Sequence, residues 1–290
     1  MKKVPVKNAI VFGIIAIIAA VLLWCTSLIG PKEYYPLEND TKLQILVLGD
    51  SNMADFGEET IPQMLAEQLP ATVYNYGIGG IAAAKVNVQN YFDNSFDLLC
   101  LYNITKIMQT KDSQVLYDFY EEVPYREREA IEYSDVLMQM DYAELDYVLI
   151  AYGLNDYLAG TPAATGELYD EDTYAGALRS SIQRIKELAP NAKIIVASIT
   201  YCMLFDGAHQ KGDGYELNFG GGTIKEYGDA AMMVAGEFEN VYFLDNLKLM
   251  DMDCNNYEMY LKDGMHLNVH GQQKYTDNLI QLITEIESKE

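Results

Sequence analysis

Short apolar runs recur along this chain, each stopping at a cluster of small or polar residues, and that alternation leaves room for few folds. The first, within KLQILVLGDSNMADFG (42–57), places Ile45, Leu46, Val47 and Leu48 side by side with no polar interruption. A run apolar on both faces suits a strand buried on both sides, as in a parallel sheet. Further runs stand at 71–80 (ATVYNYGIGG), 145–156 (LDYVLIAYGLND), 192–199 (AKIIVASI) and 241–245 (VYFLD). Helical patterns separate them at 58–69, 173–188, 223–238 and 270–289, the second opened by Asp172 or Thr173 as cap. Residues 83–141, rich in Tyr, Glu and Asp, read as mainly helical with an interruption at Pro124. Strands alternating with helices predict an α/β fold built on a mostly parallel sheet covered on both faces.

The amino end is set apart from this pattern. Lys2, Lys3 and Lys7 precede a stretch from Ala9 to Gly30 that holds no charged residue. As a helix, that stretch would rise about 33 Å, enough to cross the hydrocarbon core of a bilayer. It is long for a cleaved signal, and no A-x-A pattern closes it. The expected division is a cytoplasmic segment at 1–8, a transmembrane signal anchor at 9–30, a linker at 31–41 and one domain at 42–290. The lysines orient the span so that the domain faces outward, as a single-pass protein of the cell membrane.

Of 290 residues, half are apolar, so the domain can bury a sizeable core. The formal net charge is −23, and three of the 20 basic residues lie ahead of the span, leaving the domain more acidic still. Such a surface excludes nucleic acid and disfavours anionic lipid as partners. Cys100, Cys202 and Cys254 are too widely spaced for a disulfide framework or a C-x-x-C metal site, and are expected to be buried apolar residues.

In open α/β sheets, sites form at the carboxyl ends of the strands. Ser51 follows the first strand, Gly77, Gly79 and Gly80 the second, and Gly153 and Asn155 the third. A serine becomes a nucleophile when a base takes its proton and a third group orients that base. LKDGMHLN (261–268), between the last strand and the last helix, supplies Asp263 and His266. The candidate oxyanion donors are the Ser51 amide, the Gly80 amide and the Asn155 side chain. Glycine at 80 lets the backbone approach a substrate closely.

Together these four blocks resemble the SGNH, or GDSL-type, hydrolases. LVLGDSN (46–52) is similar to the first block, with Ser51 as nucleophile, and NYGIGG (75–80) to the second, with Gly80 as donor. YGLND (152–156) is similar to the G-x-N-D block, with Asn155 as the oxyanion side chain, and DGMHLN (263–268) to the D-x-x-H block, with Asp263 and His266. The resemblance spans about 42–287. It implies a flavodoxin-like three-layer α/β/α sandwich and hydrolysis of esters, often acetyl or short acyl groups on carbohydrates. It implies neither a metal nor an organic cofactor. Leu267 stands where the family commonly has proline, and 104 residues separate Ser51 from Asn155, more than in compact relatives. The extra length falls in an acidic helical insertion at about 93–141, expected near the rim of the site. The G-x-S-x-G pattern of α/β-hydrolases is absent, because Met53 stands where the last glycine would.

Rival readings come from the same residues. DGAH (206–209) mimics DGMH and offers His209 as a base, although the glycines of FDGAHQKGDG suggest a mobile stretch. Asp263, His266 and His270 could form a carboxylate–histidine metal site, but H-x-x-x-H here spans a loop-to-helix junction. The expectation is a membrane-anchored, outward-facing serine esterase acting on a small ester or an acylated carbohydrate. An O-acyltransferase using the same acyl-serine and a non-catalytic binding module on the same fold are the alternatives.

Overall fold

A computed structural model describes residues 32–34, 43–54, 59–85, 99–112, 137–138, 140–207 and 209–289. The 9–30 span, most of the 31–41 linker and most of the 93–141 insertion lie outside the described residues. Among the described residues, no helix is long and apolar enough to cross a membrane.

Eight strands are described: β1 (Lys32–Tyr34), β2 (Leu43–Gly49), β3 (Ala71–Gly77), β4 (Tyr147–Ala151), β5 (Lys193–Ala197), β6 (Met203–Asp206), β7 (His209–Asp213) and β8 (Val241–Leu244). The helices are α1 (Ile61–Gln68), α2 (Leu101–Thr110), α3 (Leu154–Ala159), α4 (Tyr174–Leu188), α5 (Ile224–Ala235), α6 (Asn246–Leu249) and α7 (Val269–Glu287). Six strands form one sheet in the order β1-β3-β2-β4-β5-β8, parallel except for β1. The fold is therefore α/β with a mostly parallel sheet, as the apolar runs predict.

Ile45 to Leu48 and all five residues of β4 are buried, so both faces of the central strands are covered. Helices α2, α4 and α5 pack against one another as one layer, and α1 packs against α7. The parallel register sets Gly49 opposite Gly77 on one side and Ala151 on the other. Three strands thus end level, and the residues that follow them share one edge.

Four features depart from the sequence reading. Residues 32–34, inside the expected linker, form β1, which pairs antiparallel with β3. No strand is expected between 200 and 214, yet β6 and β7 pair there, with a register shift at Leu204/Phe205. The six-residue α3 starts inside what reads as the tail of a strand, immediately after Gly153, and runs three residues beyond it. Cys100 and Cys202 are buried, but Cys254 is exposed, because it lies in the connection from β8 to α7 and not under a helix.

Candidate active site

Ser51 stands two residues beyond the end of β2 in a turn tied to its own start. The Asp50 carbonyl accepts from the Met53 and Ala54 amides, at 3.0 Å each, and the Asp50 amide donates to the Ala151 carbonyl at 3.1 Å. Asp50 Oδ1 accepts from the Asn52 amide at 3.0 Å. The end of β3 packs directly on this turn. A Cβ placed on Gly77 would lie 2.3 Å from the Met53 carbonyl carbon, so no larger residue fits. Asn75 fixes the contact, donating to the Met53 carbonyl at 2.9 Å and accepting from the Gly77 amide at 2.9 Å.

The loop before α7 reaches this turn from the far end of the chain. His266 Nε2 lies 2.9 Å from Ser51 Oγ, and His266 Nδ1 lies 2.7 Å from Asp263 Oδ2. The second contact assigns the tautomer: Nδ1–H donates to the carboxylate, leaving Nε2 to accept from the serine hydroxyl. Asp263 Oδ1 accepts from the amides of Met265 at 3.1 Å and His266 at 2.8 Å. Burial alone would raise the Asp263 carboxyl, but the bonds from His266 and Met265 outweigh it and hold it below the usual carboxylate range. Leu267 donates its amide to Asn52 Oδ1 at 3.0 Å, a direct clamp between the serine turn and the histidine loop.

Gly80 takes φ +80°, a left-handed conformation that glycine adopts at no cost. Among the described residues, no acceptor is found for the Ser51 or Gly80 amide. Asn155, on the first turn of α3, donates one side-chain N–H to the Ile81 carbonyl at 2.9 Å, which leaves its second N–H for another acceptor. The next residue holds the same loop from beneath. Asp156 is fully buried and accepts from the Ala83 amide at 2.8 Å and the Ala84 amide at 2.9 Å. Burial pushes its carboxyl up to about 6, although those amides work against it. Asp50, 4% exposed, is pushed up to about 7 by burial first, with the Asn52 amide lowering it and the charge of Asp156 raising it.

All five residues singled out in the sequence, Ser51, Gly80, Asn155, Asp263 and His266, thus stand along one edge of the sheet. Sequence reasoning missed the residues that hold the Ser51, Gly80 and His266 loops in place, Asn52, Asn75 and Asp156. The adjacent pair Asn155–Asp156 at a strand end was the available signal for the last of these. His209 lies exposed on β7, paired in register with Asp206, and has no hydrogen bond to Ser51. His270 is exposed at the start of α7. Among the described residues, no group of three His, Cys, Asp or Glu side chains is placed to hold a metal ion. A serine hydroxyl, a correctly tautomerised imidazole with a carboxylate behind it, and amide donors on the same edge can carry out acyl transfer.

Residues 110–274, more than half of the chain, match the model of the GDSL-like lipase/acylhydrolase family. That stretch holds Asn155, Asp263 and His266, whereas Ser51 and Gly80 precede it. No curated protein matches the chain in sequence. Among solved structures, a possible lipase from Chitinophaga pinensis superposes with TM-score 0.55 at 17% identity, covering 85% of this chain and 99% of that one. A protein from Lactobacillus plantarum superposes with TM-score 0.56 at 17% identity and the same coverage. A carbohydrate acetylesterase from Sinorhizobium meliloti superposes with TM-score 0.50 at 14% identity, covering 84% of this chain and all of that one. At these identities the likeness is one of fold.

Proposed function

The chain belongs to the GDSL-like lipase/acylhydrolase family, and from that premise we propose that it is a serine esterase that removes short acyl groups, acetyl above all, from hydroxyls of carbohydrates. The observation that carries this reading is the 2.9 Å contact of His266 Nε2 with Ser51 Oγ, backed by Asp263. In the proposed reaction Ser51 Oγ bonds to the ester carbonyl carbon while its proton passes to His266 Nε2. The carbonyl π electrons move onto oxygen, where the Ser51 and Gly80 amides and the free N–H of Asn155 meet the charge. Asp263 stabilises the imidazolium that forms. Collapse of the intermediate breaks the bond to the alcohol, which leaves with the proton from His266. Water then attacks the acyl-serine through the same base, releasing the acid and restoring Ser51.

The proposed setting is outside the cell membrane, held by the uncharged Ala9–Gly30 span behind three lysines. Protease added to intact cells should then reach the domain, while quantitative release into the medium would sink the anchor. The esterase itself is tested with nitrophenyl acetate, butyrate and octanoate, followed by acetylated glycans. Ser51→Ala should abolish turnover in a folded protein, and a fluorophosphonate should label the wild type at Ser51. Labelling at another serine, such as Ser198, would overturn the assignment. Transfer of the acyl group to a sugar hydroxyl in preference to water would make the enzyme an acyltransferase.

A further inference from the structure

The direction of β1 fixes where a membrane span would leave the domain. Every other strand of the large sheet runs toward the edge that carries Ser51, Gly80, Asn155 and His266. An antiparallel strand starts where its parallel neighbours end, and β1 is the antiparallel one. Lys32 stands opposite Asn75, which stands opposite Val47. Two strand spacings of about 4.8 Å and four residues at about 3.3 Å then separate Lys32 from Ser51, or about 16 Å in all. Gly30, the last residue of the uncharged span, precedes Lys32 by two residues and lies within about 7 Å of it by chain length alone. Ser51 is therefore within about 25 Å of the point where the span ends.

We propose that the tether holds the Ser51 edge of the sheet toward the bilayer, and that the ester acted on is presented from the membrane. Its chemistry is an acyl ester on a hydroxyl of a bilayer-anchored amphiphile, either a glycan carried by a lipid or the lipid headgroup itself. The inference takes its geometry from the proposed anchor and its chemistry from the proposed esterase. The acidic domain gains nothing from anionic headgroups, so the covalent tether sets the approach and charge does not. Had β1 run parallel to β3, the same span would leave the opposite edge, with the length of the sheet between membrane and serine.

The orientation is tested without any reference to activity. The full chain carrying Cys25→Ser is placed in phosphatidylcholine vesicles containing a headgroup-labelled acceptor lipid. A maleimide donor is attached to Cys254, exposed in the β8–α7 connection at the catalytic edge. In a second variant with Cys254→Ser and Ser288→Cys, the donor sits just past α7, whose Glu287 bonds Lys193 at the opposite edge. Energy transfer should be stronger from Cys254 than from position 288; equal or reversed transfer overturns the inference.

The substrate arm compares nitrophenyl acetate with an acetylated sugar on a dialkyl lipid and an acetylated headgroup, each in the same vesicles. A Gly-Ser spacer of about 24 residues after Gly30 adds roughly 25–30 Å of reach. It should lower turnover of at least one lipid-borne ester roughly fivefold or more and leave nitrophenyl acetate unchanged, the affected ester identifying the source. Unchanged turnover of both lipid-borne esters overturns the substrate half of the proposal. Absence of nitrophenyl acetate turnover in the unmodified chain would instead refute the esterase reading, leaving the energy-transfer arm to decide the orientation.

Discussion

The proposed mechanism gives Asn155 two jobs with one amide group. One N–H holds the Ile81 carbonyl and the other is left for charge that develops on a substrate. Removing one oxyanion donor costs about 2.7–4 kcal/mol, so Asn155→Ala should lower kcat roughly a hundredfold to a thousandfold with a modest change in KM. An effect confined to KM would mean that the residue only holds the loop. Asp50 makes a different prediction, because its carboxyl sits near 7 in the fold against an ordinary 3.8. Below about pH 4 both folded and unfolded chains hold the proton, and the stability this residue contributes is complete. As pH rises from about 4 to about 7 the unfolded chain releases a proton that the folded one keeps, and that stability is lost. Asp50→Asn keeps an acceptor for the Asn52 amide but cannot ionise. Its melting temperature relative to wild type should therefore be higher at about pH 8 than at about pH 4, and thermal melts at the two pH values would reject the prediction if the difference were flat. Ser51, Asp263 and His266 were legible because acyl transfer by a serine needs those residue types, and the sequence offers the serine just after a strand and the other two together in the loop before the last helix. The roles of Asn52 and Asn75 were not, since an asparagine takes its meaning from a partner that only the tertiary fold supplies.

At the scale of elements, the strand ends carry the site because β2, β3 and β4 finish level and close together. Gly77 shows how close. With a Cβ 2.3 Å from the Met53 backbone, Gly77→Ala must push β3 away from the serine turn. Overpacking of this kind typically costs about 1–3 kcal/mol, so the variant should melt earlier and also react more slowly with a fluorophosphonate, since Ser51 moves with the turn. A lower melting temperature with an unchanged labelling rate would show that the turn absorbs the strain elsewhere. The long buried strands and amphipathic helices were readable from periodicity alone: the expected helix at 270–289 is α7 at Val269–Glu287, and that at 223–238 is α5 at Ile224–Ala235. Four small elements were not. β1 spans three residues and α3 six, too few to display a period, and β6–β7 lacks alternation because β6 is buried only in its first half and no residue of β7 is buried.

Across the whole molecule, two look-alike loops compete for the proposed role of base, and the fold places one of them beside Ser51. His209 sits on an exposed hairpin strand, whereas His266 is held by Asp263, by the Leu267–Asn52 clamp and by the start of α7. His266→Ala should lower kcat on the order of a thousandfold or more, and His209→Ala should change it little. Steady-state kinetics on both folded variants would reverse the assignment if the losses were exchanged. The fold class was legible at this scale because alternating buried strands and helices admit only a few topologies. The antiparallel direction of β1 was not, because pairing direction depends on where a distant edge is vacant and leaves no trace in three residues.

The contact between His266 and Ser51 joins residues 215 positions apart. A ribosome adding about 5–20 residues each second needs on the order of ten to forty seconds to travel that distance. Through that interval the proposed nucleophile exists, and the sheet around it can begin to pair, yet the proposed base is not there to take its proton. On the proposed mechanism, hydrolytic power therefore arrives in a single step once the 263–266 loop has been made, and any chain released before it carries an inert hydroxyl in place of a half-working enzyme.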